Sequence, residues 1–142
     1  MRRSFIYVGI QFACIIFIMF TGQIFPANIY MFILLIVSAL PGLWAVYEFG
    51  FNFSVFPEIT DNHKLFTKGP YRFVRHPMYT SVILITFIWI LNDYSSLRFM
   101  IWSILVIDLS FKLRYEEGLL RSVFPEYDNY KSRTKMFIPF IY

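Results

Sequence analysis

Charge is scarce in this chain: only 15% of its 142 residues are Asp, Glu, Lys or Arg, against about 25% in ordinary soluble domains. Apolar residue types make up 58%. That balance cannot cover a globule with a water-soluble surface, so the composition specifies a membrane protein. Cysteine is nearly absent. The single Cys14 lies inside an apolar run, which excludes a disulfide within the chain and a thiolate metal cluster. The two histidines, His63 and His76, have no thiol beside them, so neither a zinc site nor any other metal site is expected. Glycine is sparse and never falls as Gly-x-Gly-x-x-Gly, so a Rossmann-type phosphate loop is ruled out. No internal repeat, low-complexity tract or second soluble domain is visible, and residues 1–142 read as a single domain.

What is present is gathered into blocks. Four apolar runs stand out: Phe5 to Phe20, Ile29 to Tyr47, Met78 to Leu91 and Phe99 to Phe111. They predict an all-α, multi-pass membrane protein of about four transmembrane helices. The second run is long enough to span; the first becomes so with Ser4 and Thr21; the last two are short of the roughly 20 residues a spanning helix needs. Those two read as a tight hairpin across Asn92 to Arg98, dipping into the bilayer or stretched by Tyr94 and Trp102 near the headgroups. Pro41-Gly42 predicts a kink in the second helix. Residues 49–55 alternate aromatic or apolar with small polar types, a period of two that suits an extended surface segment. The mixed pattern of Lys112 to Val123 predicts that the fourth helix continues into the cytoplasm until Pro125. Gly118 inside it suggests a close approach to the backbone.

Twelve of the thirteen Lys and Arg fall on one side if all four runs cross, with Arg98 the exception. The positive-inside bias then places the N-terminus, central loop and C-terminus in the cytoplasm. Membrane lipids account for the net charge of +4 without any nucleic acid. A cleaved leader over residues 1–22 is disfavoured, because its apolar core would exceed the roughly 7–15 residues typical and no small-x-small site follows. The sequon Asn52-Phe53-Ser54 is noise in a cytoplasmic loop.

Chemistry concentrates on that cytoplasmic face. The central loop carries His63, Tyr71, Arg72, Arg75, His76 and Tyr79, and the extension of the fourth helix carries Lys112, Arg114, Glu116 and Glu117. Cations, aromatics and carboxylates brought together suit a zwitterionic or nucleotide-like ligand. Glu116 and Glu117 point about 100° apart on a helix, so one can face the ligand while the other pairs with Arg114 or Arg121. Asp108, inside the fourth run, is costly there; a pairing with Lys112 one turn on is its mildest explanation. His76 before Pro77 can also be read as a helix cap, and Tyr127 and Tyr130 as interfacial anchors.

Two separated motifs then carry a resemblance. Gly69-Pro70-Tyr71-Arg72 with Arg75-His76-Pro77-Met78-Tyr79, followed by Glu116-Glu117-Gly118-Leu119-Leu120, Phe124, Tyr127, Tyr130, Arg133-Thr134 and Ile138-Pro139, resembles the isoprenylcysteine carboxyl methyltransferase family. Phospholipid N-methyltransferases are its relatives. The likeness runs from about Phe53 to Pro139 and implies a multi-pass enzyme that moves a methyl group from S-adenosylmethionine to a lipophilic acceptor, a prenylated or lipid substrate. It further implies that His63, Lys64, Leu65, Phe66, Tyr71, His76, Pro77, Met78, Tyr79 and Glu116 line the cofactor site. Lys112, Glu117 and Arg133 are the residues assigned to the acceptor and the reaction. Lys112 departs from the family's arginine four residues before the first glutamate, replacing a bidentate fork by a point charge; Arg114 or Arg133 could compensate. Ser81 stands where the family usually has glycine. A carboxylate is the expected acceptor. An amine acceptor, a membrane sterol-type reductase using NADPH, and a non-catalytic membrane subunit remain as alternatives; the reductase pattern shares the ending Ile138-Pro139-Phe140-Ile141-Tyr142 but departs at His76-Pro77 and Glu116-Glu117.

Overall fold

A computed structural model describes residues 2–49, 65 and 67–137 of the chain. Phe49, the first residue of the expected extended segment, ends α2, and the rest of that segment, the candidates His63, Lys64 and Phe66, and Ile138-Pro139 lie outside the described residues. Within them the fold is helical: α1 (Arg2–Phe20), α2 (Ile29–Phe49), a 3₁₀ turn (Gly69–Arg72), α3 (Pro77–Asn92), α4 (Ser96–Val123) and α5 (Tyr127–Arg133). The first four helices coincide with the four apolar runs, and α4 continues to Val123 before Pro125, as its mixed pattern predicts.

α1 packs chiefly against α4 and α2 against α3, while α3 also touches α1 and α4. The seam of α1 is Ser4, Val8, Gln11, Cys14 and Ile18, every third or fourth residue, as one helix face requires. Cys14 and Ile18 meet Ile90 of α3 and Leu105 and Leu109 of α4 in the apolar core. α1 is therefore a packed member of the bundle. α2 is different: Ile29–Glu48 has a mean hydropathy of 2.2 and leaves Phe32, Leu34, Val37, Leu40, Leu43 and Trp44 exposed. It is the one described helix long and apolar enough to cross a bilayer. α3, with 16 residues, reaches about 24 Å at 1.5 Å per residue, short of a hydrocarbon core of roughly 30 Å.

The end of the bundle away from the motifs is tied by polar contacts. The Asn92 side chain donates to the Gln23 carbonyl, and the Gln23 N–H donates to Asp93. Arg98 is buried; its guanidinium donates to the carbonyls of Asp93 and of Ile18 at the end of α1. Arg98, the one basic residue outside the set expected on the cytoplasmic side, is thus consumed as a clamp between α1 and the α3–α4 turn. That turn, Asp93 to Ser95, is tighter than the sequence suggests, because both helices extend into it. Tyr94 is exposed there, whereas Trp102 packs against Phe87 at 4.8 Å and donates to the Ile83 carbonyl, so it is a core contact and no headgroup anchor.

α2 runs through Pro41 as one helix. Beside it the Gly42 N–H donates to Ser81 Oγ on α3 at 2.7 Å, and a Cβ at Gly42 would lie 2.9 Å from the Cβ and Oγ of Ser81. Glycine on α2 and serine on α3 are therefore fitted to each other: the missing Cβ admits the hydroxyl. Gly42→Ala is expected to cost about 1–3 kcal/mol by overpacking, read as a lower unfolding midpoint in detergent. Adding Ser81→Gly should recover part of the loss; an unchanged midpoint in Gly42→Ala would mean the two helices separate freely. Gly118, by contrast, is exposed and nothing described lies within 4 Å of a Cβ placed there, so the expected close approach is absent among the described residues.

Candidate active site

The motif-bearing end of the bundle is built by pairing the central loop with the tail of the chain. Gly69 opens the loop at φ 58°, the left-handed region that favours glycine, and a Cβ there would strike the Glu48 side chain at the end of α2. From Val74 the loop runs parallel to Lys135: the Arg75 N–H donates to the Lys135 carbonyl at 2.8 Å, and the Lys135 N–H donates to that of Phe73 at 3.2 Å. Thr80 Oγ1 donates to the Phe137 carbonyl, so the first turn of α3 is held as well. Pro77 then starts α3, its missing N–H costing nothing at that position.

Glu117 is the anchor. Its side chain is 5% exposed and receives Arg75 Nε at 2.7 Å and Lys131 Nζ of α5 at 2.6 Å, with His76 Nε2 at 3.4 Å from Oε1. Arg75 also donates through NH1 to the carbonyls of Lys131 and Thr134. Burial alone would raise the Glu117 carboxyl, but His76, Lys131 and Arg75 outweigh it and hold it well below the usual carboxylate range. The expected partners Arg114 and Arg121 are not used: Arg114 is exposed, and Arg121 pairs with Asp128 at 2.8 Å. Its ion pairs make Glu117 the knot between loop, α4 and α5.

Glu116 behaves oppositely. Tyr79 OH donates to its Oε1 at 2.5 Å, and His76 Nδ1 stands 3.9 Å from Oε2. Burial raises its carboxyl, opposed by His76, Tyr79 and Lys112. The His76 ring stacks on Tyr79 at 5.9 Å, is nearly buried, and gives α3 no side-chain cap, so the capping reading fails. Its Nε2 has no partner with hydrogen-bond geometry among the described residues, despite its approach to Glu117. Tyr71 is buried, its phenol pushed up to about 12 by burial and by Glu116. Tyr130 OH donates to the Tyr71 carbonyl at 2.7 Å, and Tyr127 is buried edge-on to Tyr130. Neither tyrosine is an interfacial anchor. Pro77 is buried, while Leu65 and Met78 are half-buried.

Lys112 lies deeper on the same face of α4, with no exposed surface. Nζ donates to Gln11 Oε1 of α1 at 2.9 Å and sits 5.1 Å from the centroid of the Tyr79 ring. The expected pair with Asp108 does not form: Lys112 makes no ion pair with a described residue, and Asp108 Oδ2 has no hydrogen-bond partner among them. Helix geometry puts the two residues on one face, but packing turns the ammonium toward α1. Arg133 is exposed and forms no ion pair with a described residue, so neither it nor exposed Arg114 is brought to Lys112. Sequence reasoning missed Gln11 and Lys131. Gln11 could have been found as the polar residue interrupting the first apolar run.

No group of three or more potential metal ligands occurs among the described residues. A family model described as the isoprenylcysteine carboxyl methyltransferase family matches residues 28–122. Two curated rice proteins, from Oryza sativa subspecies indica and japonica, are each named probable protein-S-isoprenylcysteine O-methyltransferase. Each is 34% identical over 87 residues, 57% of this chain and 44% of the relative. The chain thus spans about half the length of the curated relatives it matches. No solved structure matches.

Proposed function

The chain belongs to the isoprenylcysteine carboxyl methyltransferase family, and from that premise we propose that it is a membrane methyltransferase that esterifies the carboxylate of a lipophilic, prenylated acceptor with a methyl group from S-adenosylmethionine. The observation that carries the reading is the partition of the two adjacent glutamates. Glu117 is spent on the ion-paired knot, which leaves Glu116, with Tyr79 and the stacked His76, as a carboxylate and aromatic surface beside it.

The donor set suits this methyl donor. A carboxylate and ring faces receive a sulfonium or ammonium, and the orphaned His76 Nε2 is a buried polar atom in want of a partner. In this reading Glu116, Tyr79 and His76 hold the donor, with Tyr71 and Pro77 packed behind. When bound, S-adenosylmethionine supplies an electrophilic methyl on a charged sulfur. The residues need to align the acceptor oxygen with that methyl and keep water out, because the transfer neutralises opposite charges and positioning supplies most of the rate. Lys112 serves the acceptor carboxylate: it is a buried cation without an ion pair among the described residues.

All four long helices cross the bilayer in this proposal, α1 and α3 with local thinning, and the active site faces the cytoplasm. Single cysteines placed at the exposed Thr67 and Ser132 should both label from the cytoplasmic side. Opposite sidedness would contradict the topology. The activity itself is tested with a lipid extract and radiolabelled donor. Label released as methanol by base indicates an ester, Lys112→Arg should retain or raise turnover, and Lys112→Met should lower it with donor affinity little changed. Base-stable label with Lys112→Met as active as the parent would favour N-methylation.

A further inference from the structure

We infer that Gln11 is a positioning residue for the acceptor: its amide fixes the Lys112 ammonium without neutralising it, and so leaves the charge free for the acceptor's carboxylate. The inference rests on the carboxyl-methylation reading above and adds to it a residue from α1, which precedes the matched segment 28–122.

A buried ammonium is costly unless it is paired. Lys112 has no exposed surface, yet its one hydrogen-bond acceptor among the described residues is a neutral amide, Gln11 Oε1 at 2.9 Å. An ammonium carries three donors, so two remain unspent. The Tyr79 ring, 5.1 Å from Nζ, adds a cation–π contact that also leaves the net charge in place. The two nearest carboxylates in sequence, Asp108 and Glu116, each lie one turn away on α4, and neither makes an ion pair with it. Gln11 is itself 7% exposed on the packed seam of α1, where a polar side chain is unfavourable unless it is used. An arrangement meant only to bury the lysine would place a carboxylate at position 11. The amide holds the cation at a fixed point and preserves its attraction for an anion.

Gln11→Glu is the discriminating variant, because it keeps shape and hydrogen bond while supplying a neutralising charge. The full chain, purified in detergent, is assayed with radiolabelled S-adenosylmethionine and an N-acetylated S-prenylcysteine as acceptor. Gln11→Glu should raise the acceptor KM at least tenfold with donor affinity within twofold of the parent and an unfolding midpoint no lower. Gln11→Met, which removes the hydrogen bond and adds no charge, should raise KM by a smaller factor. It also serves as the reporter if Gln11→Glu does not fold, and an unmoved KM would then overturn the inference. An acceptor KM within twofold of the parent in Gln11→Glu overturns it. So does a parallel loss of donor affinity and stability, which would mark a structural role. Base-stable label in the parent protein would instead overturn the carboxyl-methylation reading, and the inference with it; base-labile label with an unmoved KM removes the inference alone.

Discussion

Replacing either His76 or Glu116 by alanine should weaken S-adenosylmethionine binding more than tenfold while circular dichroism stays helical. Each substitution removes a charge-assisted contact worth about 1.5–3 kcal/mol, and 1.4 kcal/mol is a factor of ten in affinity. The geometry makes the two losses interdependent. His76 stacks on Tyr79, and Tyr79 donates to Glu116, so removing Glu116 also frees the ring that His76 lies against. The double variant should therefore lose less than the product of the single losses. Equilibrium dialysis with labelled donor measures this; unchanged affinity in both single variants would mean that the donor is held elsewhere.

The largest expected effect on stability comes from Arg75. Arg75→Met leaves buried Glu117 with Lys131 as its remaining cation, His76 Nε2 standing 3.4 Å away, and removes the hydrogen bonds to the Lys131 and Thr134 carbonyls. Breaking a buried pair from one side costs about 3 kcal/mol, and the loss falls on the contact between loop and tail. The pH dependence has a definite sign. The folded Glu117 carboxyl is held below its ordinary value of 4.5, so its contribution is present above about that pH and is lost as pH falls toward the folded value. In Arg75→Met the folded value rises toward the ordinary one, and the parent's advantage in unfolding midpoint should shrink as the medium is acidified below pH 4.5. An equal gap at neutral and acid pH would remove Glu117 as the cause.

The helices were legible because apolar runs and the Pro125 stop are local signals, and the first four helices follow them closely. Which charge meets which was not. Glu117 was expected to find Arg114 or Arg121, its neighbours on α4, and found Arg75, forty-two positions earlier, because the pairing is set by how the loop docks against the tail. Lys112 was expected to turn to Asp108 on its own helix and turned to Gln11 on another. The short helix α5 carries no apolar run that would announce it; Tyr127 and Tyr130 looked like surface anchors until the loop packed over them. The motifs named the candidates, while the proposed division of labour, Glu117 as knot and Glu116 as ligand-facing carboxylate, depends on burial and on long-range partners.

The most direct measurement is donor binding by the purified full chain, titrated with S-adenosylmethionine and separately with NADPH. Saturable S-adenosylmethionine binding that NADPH does not displace, and that is lost in Glu116→Ala, is the expected result. Saturable NADPH binding with none for S-adenosylmethionine would contradict the account and point to a membrane reductase built on the same helices.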